Sequence, residues 1–343
     1  MRHPLESRAG AGRRRRPRRL RPVLAVGAAV LLASCTRSAP APSAAAGPAD
    51  TGRVYVTNQL DNTLSVINAR SNKVIATVPA GTAPEGVAVA RDGKRVYIAN
   101  NGSARVSVLD TRTNKIVKTV AVGKEPTGVA LSPDGRRLYV TNGGSNSVSV
   151  IDTGTNRVAA TVKVGVSPVS VAVSPDGARA YVANAGSGTL SVIDTREPRV
   201  TRELAAGRTP VSVAISPDGR TAYVANEAAA SVSVVGTGNG KVRTVRVGEG
   251  PFDVAVSPDG GTAYVAVLGP GKLSVIDSGA SRVSANISIG STGTDPFNVE
   301  VTRNAVYVTD QGVDALTVID PRTREIVATV TVGDSPYGIA VSP

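Results

Sequence analysis

The chain has 343 residues, 41% of them hydrophobic and 19% charged, with a formal charge of +13, an ordinary globular composition with ample material for a large core. Trp is absent, the only His is His3, the only Met is Met1 and the only Cys is Cys35. This excludes an intramolecular disulfide, a thiolate zinc site and a haem attached through paired cysteines. Loss of the N-terminus would also remove every mechanism that needs histidine. The charge is unevenly placed. Residues 1–34 hold nine Arg against the single acid Glu6, which leaves the body of the protein at +5, so nucleic acid is not the expected partner.

Residues 2–21 are Arg-rich, and Val23–Ala33 is an unbroken run of apolar and small residues. As a helix that run would rise only about 16 Å, too little for a bilayer core of about 30 Å. A charged start followed by a short apolar run reads as a secretory signal over 1–34. The run ends Leu32-Ala33-Ser34-Cys35, which resembles the lipobox of bacterial lipoproteins. That resemblance implies acylation of Cys35, which becomes the mature N-terminus, and an exported protein held by lipid on the extracytoplasmic side of a membrane. A twin-arginine signal is weak here, because Pro17 follows Arg16 where hydrophobic residues are expected. Residues 35–52 are rich in Pro, Ala and Ser, lack any large apolar residue and read as a tether spanning roughly 50 Å when extended.

From residue 53 the sequence repeats. Tyr recurs at 55, 97, 139, 181, 223, 264 and 307, at spacings of 41–43 residues. Each unit runs YVTN, a Gly/Ser/Asn loop, SVSVIDT, a turn, KVVATV, G-x-x-P and VAVSPDG, with small variations. A period near 42 carrying four short Val/Ile-rich runs bounded by turn residues is the pattern of a propeller blade. The first strand of each unit is expected at 87–90, 129–132, 171–174, 213–216, 254–257, 299–302 and 339–342. The chain enters at the second strand of one unit and ends on a lone first strand, Ile339–Ser342. The expected fold is therefore all-β: residues 53–343 form a seven-bladed β-propeller of four-stranded antiparallel blades, closed when the C-terminal strand joins the first blade.

The motifs YVTN at 55–58 and 139–142, YIAN at 97–100 and YVAN at 181–184 and 223–226 resemble the YVTN-family β-propellers, which include archaeal surface-layer proteins and bacterial exported propellers. The resemblance covers all of 53–343. It implies the fold and leaves the function open, because the shared motif is structural.

Most chemistry-bearing residues have structural roles in the repeat. The seven repeat Tyr are expected in the core. Asp92, Asp134, Asp176, Asp218 and Asp259 sit in SPDG-type turns, and Asp110, Asp152, Asp194, Asp277 and Asp320 close the third strands before a turn. Asn100, Asn142, Asn184 and Asn226 end the second strands and are expected to cap the loops that follow. Propeller lactonases would call for a metal or a His/carboxylate site, copper and haem propellers need His ligands, and quinoprotein dehydrogenases lean on blade Trp, so catalysis is not the leading expectation. Calcium or magnesium bound by oxygen ligands alone remains open, although no compact D-x-D-x-D-G loop occurs. No resident metal or cofactor is expected.

Departures from the repeat point elsewhere. The loops on one face carry ten acidic residues against four basic, and the opposite face carries 20 basic against 12 acidic, so the disc is polarised at −6 and +8. After the G-x-x-P proline the ring reads Glu85, Thr127, Val169, Val211, Phe252, Phe297, Tyr337. The next position reads Gly86, Gly128, Ser170, Ser212, Asp253, Asn298, Gly338. Both Phe of the protein, and the one Tyr outside the repeat position, thus fall on adjacent blades beside the channel. Asp295, Asp310, Asp314 and Asp334 lie on the same acidic face, and the second strands there lose their Asn to Val267 and Asp310. The candidate ligand site is Glu85, Phe252, Asp253, Asp295, Phe297, Asn298, Asp310, Asp314, Asp334 and Tyr337, suited to a cationic, polyol or peptide ligand. The alternative use of these aromatics is to plug the channel. The expected function is non-catalytic binding or scaffolding of an extracytoplasmic protein, peptide or glycan by a monomeric, membrane-anchored lipoprotein. The rival is a divalent-cation-dependent, lactonase-like hydrolase using the same pocket. Single-stranded DNA binding would need aromatics interleaved with a basic groove, and here they stand on the acidic face.

Overall fold

The computed structural model describes residues 52–290 and 294–342. The expected signal over 1–34 and the acylation site proposed at Cys35, with the expected tether up to residue 51, lie outside the described residues. The described residues form seven four-stranded antiparallel sheets, each with its strands in order from the channel outward. Blade 2 is representative, running Pro84–Val89, Arg95–Asn100, Arg105–Asp110 and Lys115–Ala121. Blade 1 takes its outer three strands from Arg53–Asn58, Thr63–Asn68 and Lys73–Pro79, and its inner strand from the C-terminal Pro336–Val341. The closing register pairs Val54 with Val341, Tyr55 with Ala340 and Val56 with Ile339. Closure leaves no open inner edge, as the repeat phase predicts. Among the described residues no helix is long and apolar enough to cross a membrane.

The core lies between blades. The seven repeat Tyr are only 0–4% exposed. Each hydrophobic cluster draws on two neighbouring blades; Tyr307, Leu316 and Val318 of blade 7, for example, pack with Val54, Val56, Ile67 and Ile339 of blade 1. Burial of the apolar side chains along each seam is the term that holds the ring.

Two local expectations are corrected. The inner strands start at the G-x-x-P proline, three residues before the expected VAVS run, and end one residue before its end. Proline fits the first position of a strand because its missing N–H is not needed there. The pairing then slips: Pro84 faces Asn100, yet Val87 already faces Ile98. The same irregularity recurs in every blade. Such a bulge re-aims side chains, and here it falls on the two residues after each proline, the positions that ring the channel.

The strand-ending Asn residues do not cap the loops that follow; the short 3₁₀ turns after Asn100, Asn142 and Asn226 lack a side-chain cap. Their side chains turn into the blade instead. Asn142 donates from Nδ2 to Ser147 and Ser149 Oγ, and accepts from Gly123 N–H at 3.1 Å. Asn58, Asn184 and Asn226 likewise donate to the Ser and Thr of the adjoining strand. The G-x-x-P glycine makes room for this clamp. A Cβ on Gly81, whose φ is +138°, would lie 2.5 Å from the Asn100 side chain.

Candidate functional site

The bulges gather the residues after the seven prolines around the channel on the face where the Arg105, Lys124 and Glu125 loops emerge. Phe252 and Phe297 stack with centroids 3.7 Å apart, and Tyr337 meets Phe297 edge-on at 4.7 Å. All three rings are half-buried. They form a contiguous aromatic wall over blades 6, 7 and 1, so part of the mouth is filled. Beside and beneath them a cavity of ≈ 140 Å³ remains, whose middle tier is Gly86, Gly128, Ser170, Ser212, Asp253, Asn298 and Gly338. The small residues on blades 1–5 create the space, and blades 6 and 7 place a carboxylate and an amide on its wall.

Asp253 accepts from Ser212 Oγ at 2.5 Å and from Val299 N–H at 2.9 Å. Burial nevertheless raises its carboxyl to about 6. Glu85 is 8% exposed and accepts from Gln59 Nε2 at 2.8 Å, and burial raises it to about 7. Tyr337 is pushed well above the usual phenol value by burial, then by the charges of Glu85 and Asp253. Asn298 lines the cavity with an Oδ1 that is buried and has no hydrogen-bond partner among the described residues. Glu85, Phe252, Asp253, Phe297, Asn298 and Tyr337 therefore converge, as the ring positions predict.

The other four expected site residues do not join them. Asp295 is exposed, and its N–H donates to Asp310 Oδ1 at 2.8 Å. Asp310 is 1% exposed in the place of the clamp Asn and also accepts from Gly312 N–H; Oδ2 has no partner, and burial raises its carboxyl. Asp314 has a positive φ of 50° and accepts from Ser335 N–H, the same turn role that Asn62 and Asn146 fill toward Ala83 and Ser167. Asp334 is exposed, with its N–H on Asp61 Oδ2. Val267 belongs to a blade core. The ten turn carboxylates accept from local backbone or hydroxyl groups as expected; Asp134, for instance, accepts from Ser132 Oγ and Arg136 N–H, which hold its carboxyl below the usual range.

One residue was missed. Glu300 lies two residues beyond Asn298 on the inner strand Pro296–Val301. The six other blades carry Ala88, Ala130, Ala172, Ala214, Ala255 and Ala340 at that position. Glu300 makes no hydrogen bond or ion pair among the described residues; burial first, and then the charge of Asp253, raise it to about 7. The signal was available as a single Glu at an inner-strand position that is otherwise uniformly Ala. Among the described residues no group of three His, Cys, Asp or Glu is placed to hold a metal ion.

Comparison with known proteins agrees with this architecture. A YNCE-like β-propeller family matches residues 35–133, and a seven-bladed β-propeller lactonase family matches 109–206. No curated protein matches the chain. Among solved structures, hydrazine synthase of Kuenenia stuttgartiensis superposes with a TM-score of 0.69 at 25% identity, over 75% of this chain and 89% of that one. A functionally unknown protein of Desulfotomaculum acetoxidans gives 0.75 at 18%, over 84% and 98%. Dihydro-heme d1 dehydrogenase NirN gives 0.65 at 18%, over 87% and 77%. The chain is thus similar to propellers of differing function. The lactonase match ends at 206, before the aromatic arc begins at Phe252.

Proposed function

We propose that the protein is an exported binding protein, tethered through acylated Cys35, that takes an extracytoplasmic peptide, protein or glycan at the acidic mouth of its channel. One observation carries this reading: Phe252, Phe297 and Tyr337 come together on three adjacent blades at the rim of a cavity that Asp253 and Asn298 line. Half-buried rings beside polar groups suit a ligand that presents an apolar face and hydrogen-bond donors together. Plain channel filling would explain the rings, but it gives no use to an acidic, partly unpaired wall beneath them. The test is crosslinked capture of partners at the surface of intact cells, comparing the parent with Phe297→Ala/Tyr337→Ala. The parent should enrich a defined set that the double variant loses. Equal capture by a folded double variant would end the proposal.

The lactonase family match supports a second reading, hydrolysis assisted by a divalent cation. Asp253 is the one carboxylate among the residues lining the cavity, fewer than a divalent cation ordinarily takes. Saturable thermal stabilisation by Ca²⁺ or Mg²⁺, together with cation-dependent lactone opening, would decide for that reading.

A further inference from the structure

The acidic wall lacks a counter-charge. Four titratable groups cluster in this arc: Glu85 and Tyr337 at the rim, Asp253 on the cavity wall, and Glu300 on the inner strand of blade 7, outside the cavity lining but close enough to feel the charge of Asp253. No Lys or Arg is among the groups acting on any of them. Buried carboxylates are ordinarily paired, since an isolated ion away from water is costly. Here the groups acting on Asp253 are the Ser212 hydroxyl and the Val299 and Val254 backbone, and those on Glu85 are Gln59, Thr127 and Asn101, all neutral, while Asn298 Oδ1 and Glu300 have no partner among the described residues. Vacant acceptors ask for N–H donors, and uncompensated carboxylates ask for positive charge. A primary ammonium group supplies both, whereas a quaternary ammonium has no N–H to donate.

The room agrees with that chemistry. A cavity of ≈ 140 Å³ resembles in size an engineered apolar cavity of about 150 Å³ that accepts benzene, enough for an amine head and a few methylenes. The half-buried rings at the rim can cover the methylenes, and an aromatic face attracts the approaching cation. Glu300 lies about 7 Å along the strand from Asn298, within electrostatic reach of Asp253.

We propose that this cavity binds the primary ammonium end of a flexible chain, such as a lysyl side chain or an aliphatic diamine, with Asp253 and Asn298 as its acceptors and Glu300 as the second negative charge. The inference rests on the binding reading above and names the chemical class of its ligand. Binding draws both carboxyls into their ionised forms and releases protons near neutral pH, so affinity rises with pH.

The test is calorimetric titration of the full chain, in amine-free phosphate buffer, with pentylamine, cadaverine, tetramethylammonium, 1-pentanol, K⁺ and Ca²⁺. Both amines should saturate, and should bind about twentyfold more weakly at pH 5.5 than at pH 8, as a tenfold loss per carboxyl requires when both take up most of their protons over that range. Asp253→Asn and Glu300→Ala should each weaken the amines about tenfold, the loss of one charge-assisted contact of about 1.4 kcal/mol. Glu300→Ala restores the residue of the other six blades, so its loss of binding comes without loss of fold. Equal binding of 1-pentanol or tetramethylammonium, or preference for K⁺ or Ca²⁺, overturns the ammonium assignment and leaves a pocket standing. If no probe saturates, and capture by the parent equals that by Phe297→Ala/Tyr337→Ala, both this inference and the binding reading fall.

Discussion

Glu300→Gln gives a direct measure of how strongly the channel resists a negative charge. Glutamine keeps the shape of the protonated acid and removes its ability to ionise. The Glu300 carboxyl moves from 4.5 in the unfolded chain to about 7 in the fold, chiefly through burial. Its folded value is the higher one, so its contribution to stability is whole below pH 4.5 and is lost as pH rises through about 7. At 1.36 kcal/mol per pH unit the shift corresponds to about 3 kcal/mol, and the partial exposure of the residue trims it toward 2. A propeller of this size gains roughly 2 °C in melting temperature per kcal/mol. Calorimetric melting of parent and variant in phosphate should therefore show no difference near pH 4.5 and a variant about 5 °C more stable at pH 8. The difference should open between those values. A difference that does not vary with pH, or a variant that melts lower at pH 8, would refute the claim that Glu300 ionises uncompensated.

Three further outcomes are expected. A chain ending at Ser335 lacks the strand that pairs Val54, Tyr55 and Val56, and should aggregate or lose cooperative unfolding by circular dichroism. Asn142→Ala removes acceptor and donor bonds to Gly123, Ser147 and Ser149 inside the blade, and should cost about 2–4 kcal/mol in denaturant melts. Residues 53–343, which contain every strand, should bind vesicles in proportion to their anionic lipid and release at about 0.5 M salt, because the face where Arg53 enters carries +8 and each base near a membrane contributes about 1 kcal/mol. Lys94→Glu/Arg95→Glu/Arg137→Glu should abolish that retention; vesicles that hold nothing at low salt would remove the charge argument for orientation and leave only the proposed anchor at Cys35.

The blades were legible because a repeat states each rule seven times. Tyr at a 42-residue period, turns built on Asp and Gly, and a terminal strand lacking its three partners leave one way to close the sheet edges. What failed was local geometry that depends on a partner strand. Proline looked like the end of a loop, yet Pro84 begins the inner strand, and the bulge after it is set by pairing with Asn100 rather than by any residue in the run. Asn142 looked like a loop cap, since Asn usually caps; its direction is decided by Ser147 and Ser149 across the ladder.

The site was half legible for the same reason. Comparing one ring position across blades found Phe252, Phe297 and Tyr337, and their contact follows from adjacency alone. Counting acids by face added Asp295, Asp310, Asp314 and Asp334, because loop charge does not distinguish a side chain aimed at the channel from one folded onto its own turn. Glu300 escapes that comparison because it sits inside the strand, beyond the two ring positions that follow each proline. In a repeat protein, a break in an otherwise uniform buried position is a stronger pointer than a charge on a loop. Six blades show that Ala fits there, so the fold has no need of the carboxylate, and a residue that burial pushes to about 7 without a partner lowers stability. Its place beside Asp253 and Asn298, rather than anywhere else in the ring, ties that cost to the one arc where the aromatics also break the repeat.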